Sequence, residues 1–223
     1  MRRRRRARRR AGILPLLQRS IERLHAVESG LDVRAYVVSE EVRRALPGAR
    51  EDVPEQLFVR ADAEGVELAL YIDPVVVGRL EQDCPHRRLH AGNFESYCIA
   101  LEGVSHFVFL AWRARLGRPV TPLELEIQAE VDKFVSAWLL LAEQGHTLVA
   151  SASLLGRQLF ESYELREQLQ PDEVSRYRVA TQVARRYCAG LAERYGRDQS
   201  ASRITRDVRE FYRSGLADKL RAA

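Results

Sequence analysis

This chain is poor in cysteine and in lysine. Its three cysteines, Cys84, Cys98 and Cys188, are odd in number, far apart and outside any CxxC pair. That spacing excludes a disulfide framework and fits a reducing compartment, so a cytoplasmic location is expected. Lys133 and Lys219 are the only lysines. The remaining positive charge is arginine, a bias that fits a GC-rich genome more than a choice of guanidinium at each position. No apolar run approaches the ~20 residues of a membrane span. The stretch Ala11 to Leu17 is too short for a secretory apolar region and breaks at Gln18 and Arg19. A Walker loop, a GxGxxG after a strand, GxSxG and HExxH are all missing, so no cofactor is expected.

What is present is an ordinary globular composition, with 46% hydrophobic and 30% charged residues. A chain of 223 residues can bury a sizeable core without cross-links. The net charge of +5 is unevenly placed. Residues 1–10 carry eight arginines and no acid, and removing those eight leaves −3 for the rest. The body is thus slightly acidic, which argues against a basic nucleic-acid face of its own. The arginine run has three readings. Residues 2–10 can neutralise phosphates of a nucleic acid. Together with the amphipathic stretch Ile13 to Val27 they can rest on an anionic membrane or serve as a targeting segment. They can also be an over-long gene start.

The patterning predicts a mainly helical α+β fold, with a small two- or three-stranded antiparallel sheet packed on about five helices. Residues 1–11 are expected to be a disordered Arg-rich tail. Residues 12–223 are expected to form one domain, mixed over 12–92 and helical over 93–223. Ile13, Leu14, Leu17, Ile21 and Leu24 follow helical spacing, ending at Ser29-Gly30. Arg34 to Ser39 reads as a short strand, and Ser39 caps a helix over Glu40 to Leu46. Two strands, Glu55 to Arg60 and Val66 to Asp73, flank a loop whose Gly65 takes positive φ. A short helix follows Pro74. Asn93 is the expected N-cap of a helix to about Leu116. Thr121, Pro122 and Glu124 open the next with a capping box. Three more helices are expected near Leu148 to Leu169, Asp172 to Tyr195 and Ser202 to Leu220.

The helical hairpin of residues 93–144 holds the strongest candidates. Glu95, Cys98, Glu102, Ser105, His106 and Arg113 fall on one stripe of its first helix; Glu126, Glu130 and Lys133 lie on the polar side of the second. An antiparallel register brings Glu102 to Lys133 and His106 to Glu130. A carboxylate beside a histidine sets its tautomer and raises its pKa, which suits acid–base chemistry. With Glu102, Glu126 and Glu130 it can also hold a divalent metal. The alternative is that these are solvated helix faces, or buried polar groups that only satisfy one another. Cys84, His86 and His90 are weak zinc candidates, without the spacing of a zinc finger. Arg178, Arg185 and Arg186 belong, with Arg176 and Arg194, to a basic rim suited to an acidic partner. The leading expectation is a non-enzymatic protein whose helical part binds a protein partner. The alternatives are an enzyme or metal-dependent protein using the Glu/His cluster, and a nucleic-acid binder acting through residues 2–10.

Overall fold

The computed structural model describes residues 12–51, 53–62, 65–161, 171–197 and 200–222. The arginine run lies outside these residues; the stretch Ile13 to Val27, which one of its readings invokes, lies within them with Ile13, Leu14, Leu17, Ile21 and Val27 buried in the core. Among the described residues the chain is mainly helical α+β. In order it runs α1 (Ile13–His25), α2 (Glu40–Ala45), β1 (Glu55–Asp62), β2 (Gly65–Ile72), α3 (Pro74–Gln82), α4 (Ala91–Arg115) and α5 (Pro122–Glu143). Then come α6 (Leu148–Gly156), α7 (Pro171–Tyr195), α8 (Ala201–Arg213) and α9 (Leu216–Arg221). No helix among these is long and apolar enough to cross a membrane.

Helices α4 and α5 form the centre. Tyr97, Ala100, Leu101, Val104, Phe107 and Val108 of α4 are buried, as are Ile127, Val131, Phe134, Val135 and Trp138 of α5. A helix apolar on most of its circumference must be covered on most sides, and here α1, α3, α7 and the hairpin supply the cover. The pairs along α4 and α5 show that the two run antiparallel. Arg113 meets Glu124 near the turn, at 3.4 Å, and Ser105 meets Asp132 further along, at 2.5 Å. The capping box at Thr121 forms as expected: its hydroxyl accepts from Glu124 N, and Glu124 Oε2 accepts from Thr121 N.

The sheet is the hairpin β1–β2, paired antiparallel from Glu55 with Ile72 to Asp62 with Gly65. Gly65 has φ +151, a conformation glycine adopts without strain. One face of the hairpin lies on α4. Gly103 makes this close approach feasible, because a Cβ there would come within 2.8 Å of Glu55 Cγ and 3.1 Å of Leu70 Cδ1.

Several expected boundaries shift. Arg34 to Ser39 is not a strand. Asp32 accepts from Arg34 N and starts a 3-10 turn over Val33–Ala35, so the chain meets β2 at one point, the bridge from Val37 to Leu70. α1 ends at His25 rather than at Ser29-Gly30, through Ala26 in the left-handed region. The N-cap of α4 is His90, not Asn93. Asn93 takes the third helical position and closes the box by accepting from His90 N, while its amide ties down Asp83 O and Arg88 O. The helix from Leu148 changes to one π-helical turn over Arg157–Glu161; the expected continuation over 162–169 lies outside the described residues. The helix expected over Ser202 to Leu220 breaks at Ser214-Gly215 into α8 and α9. There Ser214 Oγ and Lys219 Nζ both donate to the carbonyl of Phe211, closing α8 from its C-terminal end.

Candidate functional site

Where β1, α4, α5 and α7 meet, they enclose a cleft of about 820 Å³. Its floor is ionisable. Glu102 and His106 come from successive turns of α4, Glu126 and Lys133 from α5, Glu55 from the start of β1 and Arg176 from α7. Glu130, buried beside Lys133, completes the cluster. Its walls are mixed: Leu57, Val59, Phe94, Leu125, Leu159 and Tyr177 give apolar patches between the polar Arg50, Gln56, Glu95, Gln158 and Glu173.

The contacts form two connected groups. Lys133 Nζ donates to Glu102 Oε2 and to Glu130 Oε1, each at 2.8 Å. His106 sits between two other carboxylates. Its Nδ1 is 3.7 Å from Glu55 Oε1 and its Nε2 is 3.7 Å from Glu126 Oε2. The His106 side chain is 9% exposed, and its Nε2 is buried without a hydrogen-bond partner. Arg176 approaches Glu126 at 3.9 Å and Glu173 at 3.7 Å, and its Nε is likewise buried without a hydrogen bond. One ligand atom each from Glu102, His106 and Glu126 lie within 4.8 Å of one another. No other set of three such ligating groups converges among the described residues.

Burial and mutual repulsion govern the electrostatics. Loss of solvent raises the Glu55 and Glu130 carboxyls and pushes Glu126 up to about 7. Burial works to lower His106, but the carboxylates of Glu55, Glu126 and Glu102 outweigh it and lift the imidazole to about 9. Lys133, despite burial, is held well above its ordinary value by Glu102 and Glu130. Cys98 lines the cleft, yet burial pushes its thiol up to about 12, which disfavours a resting thiolate at neutral pH. Four carboxyl groups therefore face two permanent cations, Lys133 and Arg176. The cluster carries a surplus of negative charge unless protons or a cation occupy it.

The structure brings together Glu102, His106, Glu126, Glu130 and Lys133, and it forms the Glu102–Lys133 pair of the register argument. The His106–Glu130 pair does not form. Lys133, three residues along the same helix, holds Glu130, and Glu126 one turn earlier faces the imidazole. Ser105 and Arg113 also leave the stripe. Ser105 Oγ donates to Asp132 on the far side of α5, and Arg113 packs near the turn with Glu124 and Pro119 O. Cys84, His86 and His90 do not assemble. His86 Nε2 bonds Ser20 Oγ at 3.1 Å, while His90 caps α4 and meets Asp83 at 2.9 Å. Arg178, Arg185 and Arg186 are exposed on α7, with Arg185 3.6 Å from Glu161.

Two members of the site had no sequence signal of their own. Glu55 reads only as the start of a strand, and Arg176 as one arginine of a basic rim. A second polar cluster was also unforeseen. The Asp132 carboxylate, fully buried, accepts from Ser105 and Gln128 and lies 2.7 Å from His25 Nε2. Lys219, also fully buried, donates to Gln128 Oε1 at 2.6 Å and lies over the Phe211 ring at 4.1 Å. None of these residues lines the cleft, and together they tie α1, α4, α5 and α9. Comparison of the chain with protein-family models, with curated proteins and with solved structures finds no match to any of them.

Proposed function

We propose that the protein is metal-dependent and holds one divalent transition-metal cation on Glu102, His106 and Glu126. The observation that carries this is His106 Nε2: a buried imidazole nitrogen without a hydrogen bond, 3.7 Å from Glu126 Oε2, in a residue that groups with Glu102 and Glu126. A buried polar atom left unpaired costs roughly 1–3 kcal/mol unless something binds it. Glu55 beside Nδ1 favours the tautomer with the proton there, which leaves the Nε2 lone pair for a metal. Lys133 fixes Glu102 in the same supporting way.

Charge supports the same reading. One dication would offset the two surplus negative charges of the cluster, replacing the protons that His106 and Glu126 otherwise hold. The donor set of one imidazole and two carboxylates suits Mn²⁺, Fe²⁺ or Zn²⁺ better than Ca²⁺, which prefers oxygen alone. Metal–ligand bonds of about 2.1 Å place donors of one ion roughly 3–4 Å apart, so a modest closure of the three side chains suffices. Three protein donors would leave the cleft-facing side of the ion for water or substrate.

The partner-binding role expected for the helical part remains a separate proposal attached to the exposed Arg178, Arg185 and Arg186; the cleft itself calls for a small ligand. Equilibrium dialysis of the metal-stripped chain against Mn²⁺ or Zn²⁺ tests the metal proposal, with His106→Gln as the comparison. Saturation near one ion per chain, lost in the variant, supports it. Equal uptake by both proteins sinks it.

A further inference from the structure

The cleft is far larger than a hydrated ion needs. Its 820 Å³ compares with the ~30 Å³ that one water occupies in the liquid, and it falls within the range of small-molecule sites. The remaining space admits a second occupant. The walls above the ionisable floor describe that occupant. Leu57, Phe94, Leu125 and Tyr177 are only partly buried and Val59 is exposed, while Leu159 closes one end. Apolar side chains facing a cleft ask for an apolar body.

The floor describes its head. Lys133 is committed to Glu102 and Glu130, and Arg50 Nη1 donates to Glu173 at 3.1 Å. Arg176 differs. Its two ion pairs are long, 3.7 and 3.9 Å, and its Nε is buried with no hydrogen bond. A planar guanidinium with spare donors matches a carboxylate through two parallel hydrogen bonds.

We infer that the cleft binds an amphiphilic carboxylic acid, its carboxylate on Arg176 and its hydrocarbon part against Leu57, Phe94, Leu125 and Leu159. This rests on the metal reading, because Arg176 lies 3.9 Å from Glu126. A carboxylate there would meet the charge of Glu126 unless a proton or a cation had taken it up, and the cation does so at every pH at which it binds. With the cation in place a monoanion is tolerated in the way a metal-bound hydroxide would be. A phosphate dianion brings a further negative charge into a floor already crowded with carboxylates.

Cobalt(II) serves as the reporter, since its visible absorption records both its own binding and a change of ligand nearby. The stripped 223-residue chain is titrated first with Co²⁺, then with octanoate, acetate or inorganic phosphate; the series is repeated with Arg176→Gln. Octanoate should perturb the Co²⁺ spectrum and bind at least tenfold more tightly than acetate or phosphate. Its binding, followed separately by dialysis of labelled octanoate, should weaken at least tenfold without metal. Arg176→Gln should still bind one Co²⁺ per chain and lose at least tenfold in octanoate affinity. Octanoate binding that is absent, equal in the variant, or matched by acetate or phosphate overturns this inference while leaving the metal site standing. Failure of the wild-type chain to bind Co²⁺ overturns the metal site itself.

Discussion

Gly103 and Glu55 are in contact across the interface of α4 and the hairpin: a Cβ on residue 103 would lie 2.8 Å from Glu55 Cγ and 3.1 Å from its Oε1. The absence of a side chain at 103 is what lets a strand carboxylate reach over the helix to His106, on the next turn. The fold and the site thus share one steric requirement.

Gly103→Ala tests that requirement. In a helix interior alanine is favoured over glycine by about 1 kcal/mol, so the backbone tolerates the change and the clash falls on Glu55 and Leu70. With Glu55 pushed away, the His106 imidazole loses part of what raises it. Its titration, followed by NMR of the ring in metal-free protein, should move down from about 9 toward the ordinary value. Divalent affinity should fall about 10–100-fold, the usual cost of losing a group that orients a ligand. An unmoved imidazole pKa would show that Glu55 does not act on His106.

Metal-free stability should depend on pH through His106 and Glu126. Both hold protons more tightly in the folded chain: His106 at about 9 against 6.5, facing Glu55, Glu102 and Glu126, and Glu126 at about 7 against 4.5, facing His106, Glu55, Glu102 and Arg176. A raised folded pKa contributes stability that is complete below the unfolded value and gone above the folded one. Glu126 therefore loses its contribution between pH 4.5 and about 7, and His106 between 6.5 and about 9. At 1.36 kcal/mol per unit each amounts to roughly 3 kcal/mol. Urea unfolding in chelator should show the advantage of wild type over His106→Gln shrinking from pH 6 to pH 9. An advantage that stays constant contradicts the assignment.

Lys219 acts in the opposite direction. Burial among Phe109, Phe211 and Gln128 pushes its ammonium down to about 7 from 10.5, against the pull of Asp132 and Glu124, with Arg113 adding to the depression. The unfolded chain keeps that proton longer, so stability from this group rises between pH 7 and pH 10.5. Lys219→Met preserves the apolar stem and removes the titration. Its unfolding free energy should lack this rise over pH 7–10, whereas a slope equal to that of wild type would place the ammonium in water.

Asp132 is the centre of the second cluster and should be structural alone. His25, Ser105 and Gln128 converge on its carboxylate at 2.5–2.8 Å, all in full burial. Removing one partner of such a network costs on the order of 3–5 kcal/mol. Asp132→Ala should lose about that much in urea unfolding. At a temperature where it stays folded, it should keep wild-type Mn²⁺ affinity. A stable variant with weakened Mn²⁺ binding would instead tie this cluster to the cleft.

Much of this architecture was legible from local rules. The helices over Pro122–Glu143 and Pro171–Tyr195, and the hairpin, followed from caps, proline placement and alternation, because those signals are local. What failed was also physical. Arg34 to Ser39 has strand-forming residues, but Asp32 closes a turn at its start and only Val37 reaches the sheet. His90 outcompetes Asn93 as a cap because Asn93 is more useful inside the box. In the site, helical spacing brought out Glu102, His106, Glu126, Glu130 and Lys133. The partner of His106 depended on which acid Lys133 captured. Glu55 and Arg176 come from distant elements, 51 and 70 residues from His106 in sequence, and only tertiary packing brings them in.

The most direct measurement is calorimetric titration of Mn²⁺ or Zn²⁺ into the metal-stripped chain near pH 7.5, alongside Glu126→Gln. One ion per chain should bind to wild type, with heats that vary among buffers of different ionisation enthalpy because protons leave His106 and Glu126. The variant should bind at least tenfold more weakly. Binding that is absent, or identical in the two proteins and independent of buffer, would contradict a cation held by Glu102, His106 and Glu126.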